Sequence, residues 1–135
     1  MSIKEIFTTM EYGSASENSD VAQQWLTNLN NTFNHYINGQ WQQPKTNQYF
    51  DSNNPANKEH IANVADGSVD DVDLAVTAAR KAQKQWFALG GHTRAKYLYA
   101  IARQIQKHSR LFAVLETLDN GKPIRESRDI DIPLV

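Results

Sequence analysis

Every strand signal in this 135-residue chain lies between Tyr36 and Ala65, and from Ser68 onward the apolar residues recur at helical spacing. A parallel α/β sheet needs repeated strand–helix–strand units, and none follows the last strand signal. The order reads instead as an irregular extension, a short helix, a β-hairpin with further strand, and then three helical segments. The local grammar is sound, and the architecture it spells is incomplete.

Residues 1–18 are polar and carry no periodic apolar positions after Ile6-Phe7. Ser19 offers an N-cap for a short helix with Val21, Ala22, Trp25, Leu26 and Leu29 at helical spacing, until Asn28, Asn30, Asn31 and Asn34 weaken it. Tyr36-Ile37-Asn38-Gly39-Gln40-Trp41 is a hairpin signal, because Asn-Gly tolerates the positive φ values of a type I′ turn. Pro44 to Asn47 is a second turn, Gln48 to Asp51 a short extended run, and Asn53-Asn54-Pro55-Ala56-Asn57 a break. His60 to Ala65 roughly alternates and reads as a further strand.

Ser68-Val69-Asp70-Asp71 fits a capping box, a hydroxyl at the N-cap and a carboxylate three residues on. Behind it Val72, Ala75, Val76, Ala79, Ala82 and Trp86 mark one face of a helix to about Phe87, and the alanines suggest close approach to another element. Gly90-Gly91 ends that unit. Thr93 can cap a second helix with Leu98, Ile101, Ala102 and Ile105 inward, and Ser109 can restart it with Leu111, Phe112, Leu115 and Leu118. Pro123 suits the first turn of a final helix, which Pro133 would kink or end.

Composition narrows the function classes. A chain of this length buries roughly 65–70% of its unfolded surface. With 40% hydrophobic residues and a net charge of -1 it is no strongly charged disordered chain. The balance of 14 Lys+Arg against 15 Asp+Glu argues against nucleic acid as a partner. No apolar run approaches the roughly 18–20 residues that span a bilayer, and Met1 to Met10 lacks a signal-peptide core. These features describe a cytoplasmic protein without a membrane partner. There is no Cys at all, which removes disulfides, thiolate metal ligands and thiol nucleophiles together.

Four pieces then fall in one order. They are Tyr36 to Trp41; Asn54-Pro55-Ala56; Val64-Ala65-Asp66-Gly67 leading into Asp70 to Arg80; and Glu116-Thr117-Leu118-Asp119-Asn120-Gly121-Lys122-Pro123. Together, over residues 36–135, they resemble the N-terminal region of the aldehyde dehydrogenase superfamily. Ile6 to Gly13, Glu17-Asn18-Ser19, Trp25-Leu26 and the run Glu126 to Pro133 look like the family-sixteen branch. The resemblance implies an α/β fold of which this chain is an N-terminal fragment, a short hairpin and strand region followed by long helices in an incomplete Rossmann-like domain. Residues 1–34 would be an extension with a short helix, and 35–135 the truncated start of the dehydrogenase domain.

The resemblance further implies a parent enzyme that oxidises aldehydes to carboxylic acids. A cysteine thiolate attacks the aldehyde, hydride passes to the nicotinamide of NAD or NADP, and a glutamate-activated water releases the acid. This chain has no Cys and no G-x-G-x-x-G spacing after a strand, so no catalytic or cofactor-binding residue is expected in it, and no cofactor is expected to bind it alone. Asp119, with the backbone carbonyl of Asn53, is implied as a ligand of a structural monovalent cation; the alternative is a helix-ending turn stabilised by the Asp119 and Asn120 side chains.

Other residue groups read more plainly. His35, His60, His92 and His108 show no zinc-ligand spacing and fit surface or capping roles. Asp70, Asp71 and Asp73 suit a helix start, where carboxylates meet the positive end of the dipole. Lys81, Lys84, Arg94 and Lys96 read as a solvated helix face, and Trp25, Trp41 and Trp86 as packing anchors. The expected partners are the remainder of the parent dehydrogenase or further copies of the chain. The competing function is a non-catalytic interaction module that self-associates or binds a full-length dehydrogenase.

Overall fold

The computed structural model describes residues 18–135. The polar extension and the run Ile6 to Gly13 lie outside the described residues.

Helix α1 (Asp20–Asn28) buries Ala22 and Leu26. Ser19 stands at its N-cap position but does not cap it. Its backbone is already helical (φ -83, ψ -7), and its Oγ instead accepts from Gln23 Nε2 at 3.1 Å. The asparagines end the helix as expected, with Asn30 and Asn31 at φ 53 and 49. Directly after them comes a strand that the sequence reading lacks, β1 (Thr32–Phe33).

The hairpin is β2 (His35–Ile37) and β3 (Gln40–Gln42), with Tyr36 opposite Trp41. Asn38 and Gly39 turn between them at φ 53 and 78, both positive as a type I′ turn requires. The turn at 44–47 closes with Asn47 N donating to Pro44 O at 2.9 Å. Strand β4 (Tyr49–Asn53) is antiparallel to β5 (His60–Ala65), and β1 joins the other edge of β5 in parallel, giving the order β1-β5-β4. Asn53 is therefore a strand residue and not part of the break. It pairs with His60 across an irregularity in register at Ser52/Asn53, and the chain turns away from Asn54 onward.

Three helices follow, α2 (Val69–Ala88), α3 (Gly90–Lys107) and α4 (Ser109–Asn120). The capping box at Ser68 and Asp71 is present in both directions. The α2–α3 junction departs from expectation in part. Helix α2 ends just before the glycines as expected, with Gly90 at positive φ, but α3 begins at Gly90 itself and Thr93 lies inside it. The elbow is closed by side chains: Arg94 Nη1 donates to Phe87 O at 3.0 Å, and Trp86 packs on Tyr97 with centroids 5.6 Å apart. Ser109 is the first residue of α4 but makes no capping hydrogen bond.

After Gly121 the chain continues through α5 (Ile124–Glu126), a π-helical turn (Ser127–Asp131) and α6 (Ile132–Leu134), with Pro123 just ahead of α5. Pro133 falls in the first turn of α6, where a missing N–H is tolerated, just after the widened turn that ends at Asp131.

The buried apolar residues are Ala22 and Leu26 of α1, Ile37 of β2, Ala62 and Ala65 of β5, and Ala113 and Val114 of α4. The core thus lies where α1 and α4 meet the sheet. Helix α2 buries only Asp71, and α3 buries nothing. The inward face expected of α3 is open among the described residues, with Leu98 and Ile101 61% and 57% exposed. The alanine row of α2 does approach the hairpin, where Ala75, Ala78, Ala79 and Ala82 line a shallow gap with Tyr36 and Ile37.

Candidate functional site

The last turn of α4 presents Asp119 to strand β4. Ser52 Oγ donates to Asp119 Oδ1 at 2.5 Å, and Ser52 directly precedes Asn53. The two residues expected to share a cation therefore lie on elements that meet at one corner, joined through a serine that sequence reasoning missed. The next residue closes the turn: Asn120 Oδ1 accepts from Lys122 N at 2.7 Å. Of the two side chains offered as turn stabilisers, Asn120 serves the turn and Asp119 serves the strand.

Gly121 leaves α4 at φ 76, with its N–H donating to Thr117 O at 3.0 Å. A Cβ on it would stand 2.8 Å from Pro55 Cγ. Pro55 is held in turn by its neighbours. Asn54 Oδ1 accepts from Ala56 N at 3.0 Å, Asn54 N donates to Glu59 O at 2.9 Å, and Lys58 N donates to Asn54 O at 2.7 Å. The Asn54-Pro55-Ala56 and Asp119-Asn120-Gly121 motifs, read separately in the sequence, are two sides of one contact.

A second polar knot lies at the start of α2. Asp71 is only 4% exposed. Its carboxylate accepts from Ser68 Oγ at 2.7 Å, Ser68 N at 3.0 Å and Lys45 N at 3.1 Å, and His35 Nε2 stands 3.9 Å away. The Ser68 hydroxyl is the main cause that holds its pKa below the usual aspartate range; burial opposes this, and the Ser68 and Lys45 N–H groups reinforce it. Asp71 thus does more than face a helix dipole, tying the β3–β4 loop to α2. His35 is half-buried, and its Nε2 is a buried nitrogen with no hydrogen-bond partner.

At the far end Lys122 Nζ pairs with Asp131 Oδ2, which raises the lysine pKa, and Thr117 Oγ1 lies 3.2 Å from the fully buried Ser127 Oγ. Trp25 stacks on Phe33, while Trp41 meets Tyr36 and Trp86 meets Tyr97 at tilted angles; these are pairs at the surface, not anchors in the core. No group of three His, Cys, Asp or Glu side chains able to hold a metal occurs among the described residues. A cleft of about 370 Å³ between the sheet and α4 is walled by Leu26, Phe33, Val64 and Phe112 with Asp119 at its rim. This arrangement fixes chain corners.

The chain matches the family model "Aldehyde dehydrogenase family" over residues 41–135. It is 38% identical over 102 residues to a long-chain-aldehyde dehydrogenase of Acinetobacter sp, covering 76% of this chain and 20% of that protein. Over 117 residues it is 35% identical to acetaldehyde dehydrogenase 2 of Cupriavidus necator, covering 86% of this chain and 23% of the relative. Its fold matches betaine aldehyde dehydrogenase of Staphylococcus aureus in complex with NAD+, with a TM-score of 0.78 and 35% identity over 85% of this chain and 23% of that one. The chain spans about a fifth of the length of the curated relatives it matches.

Proposed function

Because this chain belongs to the aldehyde dehydrogenase family, we propose that it is the N-terminal portion of an NAD(P)-dependent enzyme that oxidises aldehydes to carboxylic acids. The observation that carries the proposal is a family match over residues 41–135 that covers only a fifth of the relatives' length. The NAD+ bound to the Staphylococcus aureus relative supports a nicotinamide cofactor for the whole enzyme, where it would accept the hydride. With no Cys in these residues, the thiolate nucleophile would come from the rest of the enzyme, and this chain alone would not turn over.

In this reading residues 35–135 begin the dehydrogenase domain and pack against its remainder, in the cytoplasm, with neither nucleic acid nor membrane as partner. The branch is family sixteen, on the strength of Ile6 to Gly13 and Glu126 to Pro133. Asp119 and the Asn53 carbonyl are assigned a structural monovalent cation. In support, both offer the oxygen ligands that hard cations prefer, at the corner where α4 meets β4.

A second reading rests on the open apolar faces of α2 and α3. They suit an interaction module that binds a full-length dehydrogenase or another copy of itself.

Mass spectrometry of the native product, covering and following Val135, tests the first reading. Peptides continuing beyond Val135 are expected, on a polypeptide that reduces NAD(P) when given an aldehyde. A terminus at Val135 with no such continuation would sink it. Co-purification of the short chain with a full-length dehydrogenase would then support the second.

A further inference from the structure

The sequence holds two Asn-Gly pairs, Asn38-Gly39 and Asn120-Gly121, and the fold treats them oppositely. We infer that Asn38-Gly39 is a site of spontaneous deamidation selected by the structure, and that Asn120-Gly121 is held against the same reaction. The chemistry needs only water. The Gly39 amide nitrogen attacks Asn38 Cγ, the bond from Cγ to Nδ2 breaks, and ammonia leaves with the proton from the attacking nitrogen. Water then opens the resulting succinimide at either carbonyl, leaving an aspartate or its β-linked isomer at position 38. No electrons are exchanged.

Three observations favour attack at Asn38. It is exposed at the hairpin tip, and neither its side chain nor the Gly39 N–H makes a hydrogen bond among the described residues. The space around Gly39 is open, with nothing within 4 Å of where a Cβ would stand. The tip is held by the short ladder from His35↔Gln42 to Ile37↔Gln40, with the alanine row of α2 across a shallow gap that Asn38 borders.

Asn120 is exposed as well, but its hydrogen bonding and the space around its glycine are the reverse. The side-chain oxygen on the carbon to be attacked is engaged by Lys122 N at 2.7 Å. The attacking nitrogen of Gly121 is tied to Thr117 O at 3.0 Å. Pro55 crowds the glycine, at 2.8 Å from a would-be Cβ. Releasing two hydrogen bonds before attack slows the reaction there by about tenfold or more.

Reaction at Asn38 would place a new carboxylate on the hairpin. The β-linked product also lengthens the backbone within the two-residue turn, which breaks the Ile37↔Gln40 register.

The test ages the full chain at mildly alkaline pH, natively and in urea, and follows both sites by peptide mapping that separates the β-linked isomer. In the native state position 38 is expected to convert at least about tenfold faster than position 120, with the two rates converging in urea, where the hydrogen bonds are gone. Equal native rates, or a slower position 38, would overturn the inference. So would a ratio that persists unchanged in urea, because local sequence and not the fold would then set it.

Discussion

At Gly121 two separate constraints act on one residue. The backbone passes through φ 76 to close α4, and Pro55 fills the space a side chain would take. Gly39 shares the first constraint, at φ 78, but has open space around it. A left-handed conformation costs an L-residue about 1–2 kcal/mol, so Gly39→Ala should destabilise the chain by about that much. Gly121→Ala adds an overlap with a proline ring that cannot swing away, and overpacking costs typically about 1–3 kcal/mol more. The expected loss is therefore about 2–5 kcal/mol, read from urea unfolding followed by circular dichroism. Equal losses in the two variants would mean that Pro55 yields freely and that the contact between the two motifs is slack. Asp119 shows the other side of the same corner: its place in a recognisable run was legible, but its bond to Ser52 joins residues 67 apart, and no local spacing announces such a pair.

Among the elements, those specified by neighbouring residues were legible. The type I′ hairpin and the capping box of α2 each rest on interactions within a few residues, so spacing and turn chemistry suffice to place them, while β5 was legible from its own alternation although its partners are distant. Strand β1 was not legible. Two residues carry no periodicity, and what makes them a strand is Asn63 N donating to Asn31 O at 2.8 Å and Asn31 Nδ2 donating to Ile61 O at 2.7 Å, both from across the fold. Gly90-Gly91 marked the end of α2 but hid the start of α3, for a related reason. Glycine weakens a helix interior, but at the first turn of α3 the cost is small, and the Arg94 and Trp86–Tyr97 contacts hold the elbow. The Asp71 knot makes an element-scale prediction, because it ties the β3–β4 loop to the start of α2. Its folded pKa lies below the unfolded value of about 3.9. Its stabilisation is therefore present above that value and lost as the pH falls through the lower, folded one. Asp71→Asn should lower the melting temperature at neutral pH. The gap from the unaltered chain should narrow on acidification below about pH 4, as Asp71 itself becomes protonated. A gap that stays constant down to strong acid would show that the carboxylate's charge is irrelevant to the clasp.

For the whole molecule the decisive fact is where burial stops. The sheet, α1 and α4 share a small core, and Leu26 at 5% exposure belongs to it, while α2 and α3 stand largely outside. Their amphipathic pattern was legible, but a pattern states only that a face is apolar and not that anything covers it. Val72 and Val76 on α2, with Leu98 and Ile101 on α3, form long exposed apolar stretches of the kind that drives association. Burying side chains of this size contributes on the order of 1.5–3 kcal/mol each when complete, so a few of them meeting a second copy offset a substantial association cost. The 135-residue chain should therefore self-associate, with a sedimentation coefficient that rises with concentration. Leu98→Glu with Ile101→Glu should shift it toward monomer without loss of helical circular dichroism, because neither side chain belongs to the core. A concentration-independent monomer with a sharp cooperative melt would sink this prediction, since it would require the core around α1, α4 and the sheet to hold both long helices without any cover.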